Sequence, residues 1–212
     1  MFGSRLLQAF DDAVMPLRCV FCGTRTLDGE RYVCAGCCAD LPWGASPPPP
    51  RPLTAIVAPL AYEFPLDAAI KALKFKRRLW YGPALAQLAC LALDELPGEI
   101  DAVLPVPLHW RRQWWRGFNQ AQEIARPLAK RLRVPLLGGV RRVRATRPQS
   151  GLQAGERVRN LQGAFSATKP CLAQHVLVVD DVMTTGATLR QVARVVLGAG
   201  AARVSALVRA RA

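Results

Sequence analysis

The sequence predicts an α/β protein: a mainly parallel sheet with helices on both faces, preceded by a small cysteine-bound module. Three observations predict it. Apolar strand-like runs alternate with helix-like periods from Leu53 to Val208. One of those runs ends in two aspartates and a threonine-rich turn within Val176–Leu189. Two Cys-x2-Cys pairs stand near the N-terminus. A chain of 212 residues, 51% hydrophobic and 21% charged, is long enough to bury one core and carry a small appendage.

In chain order, Phe2, Leu6, Phe10 and Val14 recur at roughly helical spacing, and Asp11 and Asp12 break the apolar run a signal peptide needs. Cys19, Cys22, Cys34 and Cys37 come next, with eleven residues between the pairs. Each pair can place two thiolates on one turn, and two turns close a tetrahedron around zinc. Four thiolates leave no open position, so the metal is structural. Cys38 is an alternative to Cys37, and four unrelated reduced cysteines are the alternative to a metal. Thr24–Tyr32 suits a small hairpin turning at Asp28-Gly29. Cys90 and Cys171 lack a partner pattern and read as small core residues.

Residues 1–41 therefore read as an N-terminal helix and a four-cysteine zinc ribbon. Residues 42–52 (PWGASPPPPRP) read as a semi-rigid linker, or alternatively as a docking motif. Residues 53–212 form the main domain. There the pattern predicts strands at 53–62, 102–106, 176–179 and 202–208, and helices at 66–75, 84–96, 121–132 and 187–197. Pro127 is expected to kink its helix or to mark a late start. The nearest approach to the roughly 18 apolar residues of a spanning helix is Pro83–Pro97, which contains Gln87 and Asp94. No membrane span is expected, and the protein reads as soluble and cytoplasmic.

The net charge is +14, and residues 103–160 carry 13 Arg and Lys against Glu123 and Glu156. Such a field suits nucleic acid, an acidic membrane surface or a phosphate-rich ligand; a solvated basic face is the plainer alternative.

The most informative segment is Val176–Leu189, VLVVDDVMTTGATL. An apolar central strand brings Asp180 and Asp181 to its carboxyl end, where open α/β sheets meet ligands. Met183, Thr184, Thr185, Gly186, Ala187 and Thr188 then turn into a helix. Its N-terminal N–H groups and the threonine hydroxyls suit a phosphate. The two acids suit ribose hydroxyls or a magnesium ion shared with a diphosphate. No Lys comes after the Gly, as a Walker loop would require. The segment reads as a ribose 5-phosphate site, with phosphoribosyl diphosphate as the best single ligand.

These residues resemble the type I phosphoribosyltransferase family. Pro105-Val106-Pro107, Arg111-Arg112, Arg116-Gly117-Phe118-Asn119-Gln120, Thr146, Gln149, Gly151-Leu152, Arg157 and Asn160, with the cysteine array, resemble its ComF branch. The resemblance implies a type I phosphoribosyltransferase-like domain and an N-terminal zinc ribbon. It also implies binding of phosphoribosyl diphosphate with magnesium at Asp180 and Asp181, and a part in DNA uptake during natural competence, with the uptake machinery as partner. Lys74 resembles the family's lysine near the diphosphate loop, but Lys76-Arg77-Arg78 stands where the family has glycine. Lys71 and Lys74 alternatively lie exposed on an amphipathic helix.

Arg111, Arg112 and Arg116 are interleaved with Trp110, Trp114 and Trp115. The stretch reads as a flap closing over a diphosphate, with Arg116 reaching the ligand. It reads equally as a platform for single-stranded DNA, or as a tryptophan cluster packed on the core. His109 reads as a loop residue and His175 as structural. Two functions remain: a DNA-uptake protein with a phosphoribosyl site, or a transferase moving ribose 5-phosphate to a nitrogen base. No acceptor-binding segment or catalytic residue stands out, which favours the first.

Overall fold

The computed structural model describes residues 18–26, 32–76, 78–144 and 160–212, the side chains of Arg112 and Arg116 excepted. The N-terminal helix, the Asp28-Gly29 turn, Arg77, and Thr146, Gln149, Gly151, Leu152 and Arg157 lie outside the described residues.

The sheet is built from β1 (Ala55–Val57), β2 (Ala102–Pro105), β5 (His175–Met183) and β6 (Arg203–Arg211), all parallel in the order β1-β6-β5-β2. Its central strands are apolar on both faces because both are covered. Val176 and Val178 point into one cluster with Leu189, Val192 and Val196. Leu177 and Val179 point into a second with Ile124 and Leu128. The helices that supply these partners are α6 (Ala187–Gly198) and α5 (Gln120–Leu132). Helices α2 (Leu66–Lys76) and α3 (Tyr81–Leu91) bury a third cluster, and Val33 and Leu41 of the cysteine module join it. The module is thus packed against α2 and α3, and the Tyr32 amide donates to Gln87 Oε1 at 3.0 Å.

Several boundaries differ from the sequence expectation. The first strand is three residues rather than ten, with prolines on either side of it. Helix α3 starts three residues early because Pro83 sits in its first turn, where no N–H is needed. It ends at Leu91, with a 3-10 turn at Leu93–Glu95 after it. Pro127 marks no late start, since α5 begins at Gln120 under the cap of Asn119. Strands β5 and β6 run on to Met183 and Arg211, each three or four residues past expectation. An antiparallel pair, β3 (Val140–Arg142) and β4 (Phe165–Ala167), was not expected.

Residues 42–52 run along the main domain. The Gly44 amide donates to the Pro59 carbonyl at 2.8 Å, and the Ala58 amide to Ser46 Oγ at 2.9 Å. No helix among the described residues is long and apolar enough to cross a membrane.

Buried His175 fixes the foot of the sheet. Its Nδ1 lies 2.8 Å from the Glu99 carbonyl oxygen and its Nε2 2.8 Å from Ser205 Oγ. A carbonyl only accepts, so Nδ1 carries the proton and Nε2 accepts from the Ser205 hydroxyl. Burial holds the imidazole pKa below its usual 6.5 although the Glu99 hydrogen bond opposes it. The unfolded chain therefore binds the proton more readily than the fold. This contribution is full above about pH 6.5 and is lost as pH falls. Urea midpoints are expected to drop between about pH 7.5 and pH 5.5, and to drop less in His175→Gln. Equal losses in both proteins would rule out His175 as the cause.

Candidate functional site

The carboxyl end of β5 gathers the charges. The Asp181 amide donates to Asp180 Oδ1 at 2.8 Å and the Val182 amide to Asp181 Oδ1 at 2.7 Å, so each carboxylate is oriented by the next backbone N–H. Strand alternation then sends the two acids to opposite faces. Asp180 lines a small depression with Val182, Met183, Thr184, Gly186, Ala187, Thr188 and Leu189. Thr184 and Thr185 are exposed. Gly186 is the N-cap of α6 at φ +68 and has no side chain with which to cap it, so the helix starts at the depression's turn. A Cβ on Gly186 would stand 3.1 Å from Pro50 Cγ, so the proline-rich segment rests on the phosphate-loop candidate.

Asp181 faces α2 and β6. Lys74 Nζ lies 2.6 Å from its Oδ2, with both side chains largely buried. The alternative of an exposed Lys74 is overturned; Lys71, one turn earlier, is the exposed one and pairs with Asp67. Register sets Asp180 opposite Val208 and Val182 opposite Ala210, which brings Asp181 beside Arg209. Arg209 is 2% exposed, and its Nε, Nη1 and Nη2 have no hydrogen-bond partner among the described residues. Burial lowers its pKa to about 10, with Asp181 and Asp180 pulling it back up, so it stays charged at neutral pH.

The two carboxyls are pushed apart. Burial and then the neighbouring Asp181 carry Asp180 up to about 7. Burial acts on Asp181 too, but Lys74 and Arg209 outweigh it and hold that carboxyl below the usual range. The site thus offers one firmly ionised acid between two cations and one acid poised near neutrality beside a hydroxyl-rich turn. Arg209 was missed from sequence because the strand was ended at Val208. The available signal was an arginine inside an otherwise apolar stretch, Ala206-Leu207-Val208-Arg209-Ala210.

The tryptophan-arginine stretch is a helix, α4 (Trp110–Arg116). His109 caps it, its Nδ1 accepting from the Arg111 amide at 3.4 Å. Trp110, Trp114 and Trp115 are between 65% and 85% exposed, which overturns the core-packing alternative. The Arg111 guanidinium lies 5.3 Å from the centre of the Trp110 ring. Arg112 and Arg116 share this helix, and their side chains lie outside the described residues. Asn119 ties the start of α5 to the end of β2: its Nδ2 donates to the Val106 carbonyl at 3.0 Å and its Oδ1 accepts from the Ala121 amide at 3.1 Å.

In the N-terminal module, Cys19, Cys22, Cys34 and Cys37 bring their sulfurs within 4.8 Å of one another. Cys22 and Cys34 Sγ are 3.7 Å apart. A tetrahedron with metal–sulfur bonds of about 2.3 Å sets its sulfurs about 3.8 Å apart. Gly23 at φ +76 closes the first turn, its amide donating to the Cys19 carbonyl at 2.9 Å. The second pair lies at the start of α1 (Ala35–Ala39), where Cys34 Sγ accepts from the Cys37 amide at 3.4 Å. Cys38 is outside the group, so it does not replace Cys37. Hydrogen bonds from the Thr24 hydroxyl and amide bring the Cys22 thiol down to about 6. The four cysteines can hold a zinc ion.

Comparison with known proteins matches residues 119–211 to the phosphoribosyl transferase domain. DNA utilization protein YhgH of Escherichia coli (strain K12) is 38% identical over 175 residues, covering 78% of this chain and 76% of that protein. The same-named protein of Salmonella typhi is 39% identical over 172 residues, covering 78% and 75%. Competence protein F of Haemophilus influenzae is 36% identical over 163 residues, covering 71% and 70%. Among solved structures, a glutamine phosphoribosylpyrophosphate amidotransferase from B. subtilis, complexed with ADP and GMP, aligns with a TM-score of 0.45 and 21% identity. That alignment covers 66% of this chain and 30% of the other. With its acid pair and threonine turn inside the matched domain, and its cysteine module and α4 ahead of it, the chain belongs to the family of Competence protein F and DNA utilization protein YhgH.

Proposed function

We propose that this protein binds phosphoribosyl diphosphate, or a related ribose 5-phosphate ligand, and single-stranded DNA, acting in the cytoplasm in DNA uptake. The observation that carries the first half is the Asp180–Thr188 depression, where a carboxyl, threonine hydroxyls and a helix N-terminus begun by glycine meet at the sheet's carboxyl edge. Thr184, Thr185, Thr188 and the amides from Gly186 onward receive the 5-phosphate. Asp180 and Asp181 accept from ribose hydroxyls. Their carboxylate oxygens are hard donors and fit magnesium, which supplies charge neutralisation for a diphosphate. Lys74 and Arg116 are the cations for that diphosphate. Relatives named for DNA utilization and competence support the DNA half.

On α4 the exposed rings offer stacking platforms, and the arginines between them neutralise phosphates. Fluorescence anisotropy with single-stranded oligonucleotides at low salt tests this. Binding is expected to weaken steeply with salt and to favour single strands over duplex. Replacing Arg111, Arg112 and Arg116 with Ala is expected to flatten the salt slope. Trp114→Ala with Trp115→Ala is expected to weaken affinity at unchanged slope in a folded protein, because both rings are exposed. No binding at micromolar protein would leave the arginines to close over the diphosphate. Transfer of ribose 5-phosphate to a nitrogen base would then be the first reading, tested by incubation with purines and pyrimidines.

A further inference from the structure

The turn between α2 and α3 carries a second cationic and aromatic surface. Phe75, Leu79 and Trp80 are 57% to 64% exposed within six residues. Single exposed apolar side chains are ordinary, but a cluster of three marks a contact surface. The Arg78 guanidinium lies 5.7 Å from the centre of the Trp80 ring. Between Asp67 and Asp94 the sequence has no acid and five cations, Lys71, Lys74, Lys76, Arg77 and Arg78.

The turn's position in the fold is set by Lys74. Through its contact with Asp181, the last turn of α2 is anchored at the carboxyl end of β5. Helix α4 leaves the same edge of the sheet, just after the Val106 amide bonds to the Val179 carbonyl at 2.9 Å. Two segments of the same chemistry therefore leave one edge of the sheet, where the acid pair lies.

We propose that Phe75, Lys76, Arg78 and Trp80 form a second contact surface for single-stranded nucleic acid, with Phe75 and Trp80 stacking on bases and Lys76 and Arg78 holding phosphates. The inference rests on the single-strand reading of α4. A duplex hides its base faces from exposed rings, whereas a single strand offers them. A second copy of the chain fits less well, because a two-fold contact of this patch with itself sets like charges face to face.

The test uses the full chain and a short oligonucleotide carrying 5-iododeoxyuridine, photocrosslinked and mapped by mass spectrometry. Adducts are expected on Phe75 or Trp80 as well as on the α4 tryptophans. Phe75→Ala and Trp80→Ala are each expected to lower affinity about fivefold or more, with Trp80→Phe retaining most of it. Arg78→Ala is expected to reduce the salt slope. Adducts confined to α4, with unchanged affinity in the double variant Phe75→Ala with Trp80→Ala, would overturn this inference and leave the single-strand reading standing. No single-strand binding at all would bring down both. A double variant that turns a dimer into a monomer without changing DNA affinity would assign the patch to self-association instead. If the double variant fails to fold, the adduct map on the unaltered chain decides.

Discussion

One zinc ion per chain is expected in the purified protein, and its removal by a strong chelator is expected to unfold residues 19–41. Four sulfurs within 4.8 Å leave no room for four unpartnered thiolates, which would repel one another. Zinc binding is therefore expected to supply much of the module's stability; structural zinc contributes about 10–16 kcal/mol in small peptides near neutral pH. Among its described residues the module has little else of its own. Its helix α1 is five residues long with none buried, and Val33 and Leu41 reach their core only by packing on α2 and α3. Cys19→Ser with Cys34→Ser should reproduce the chelator's effect without a chelator. Elemental analysis and amide exchange across residues 19–41 check both. Folded, zinc-free protein from careful purification would refute the assignment.

Replacing either aspartate with asparagine is expected to weaken binding of phosphoribosyl diphosphate in magnesium on the order of tenfold to a hundredfold, from lost hydrogen bonds to a charged group. The two variants should differ in stability. Asp181→Asn leaves Lys74 and Arg209 without their counter-charge in a largely buried site, a class of change that costs about 3–5 kcal/mol. Asp180→Asn removes a carboxyl that burial already pushes to about 7, so its fold should be little affected. Thr185→Val is expected to cost about 1–3 kcal/mol of binding alone. Calorimetry and urea denaturation separate the effects. No heat from the unaltered protein with ligand and magnesium would refute the whole site.

The acid pair and its turn were legible because they are local: a strand, two acids, a hydroxyl-rich turn and a helix succeed one another in the chain. The zinc cluster was legible for the same reason, each pair being a short spacing. Arg209 was not, and neither was the contact of Lys74, itself a sequence candidate, with Asp181, since both depend on which strand and helix come to lie beside that acid. The antiparallel pair β3–β4 was missed because three-residue strands leave too little alternation to read. Whether Trp110, Trp114 and Trp115 are buried was undecidable from sequence, because a short amphipathic helix packs inward or faces out with the same pattern. The unexpected length of β6 has a plain cause: it lies beside β5, so it stays paired as far as Met183.

The Lys74–Asp181 contact has a consequence for the order in which charges exchange. Asp181 already has an ammonium within 2.6 Å and a guanidinium beside it, so a newcomer that uses this carboxylate competes with an occupant tethered to the same chain. A tethered competitor acts at a high effective concentration, which penalises any ligand that brings positive charge alone. A ligand that also brings phosphate avoids the penalty, because Lys74, once displaced, finds an anion within its own reach. On the proposed reading, a cation that arrives with a diphosphate is expected to compete better against Lys74 for Asp181 than the same cation arriving alone.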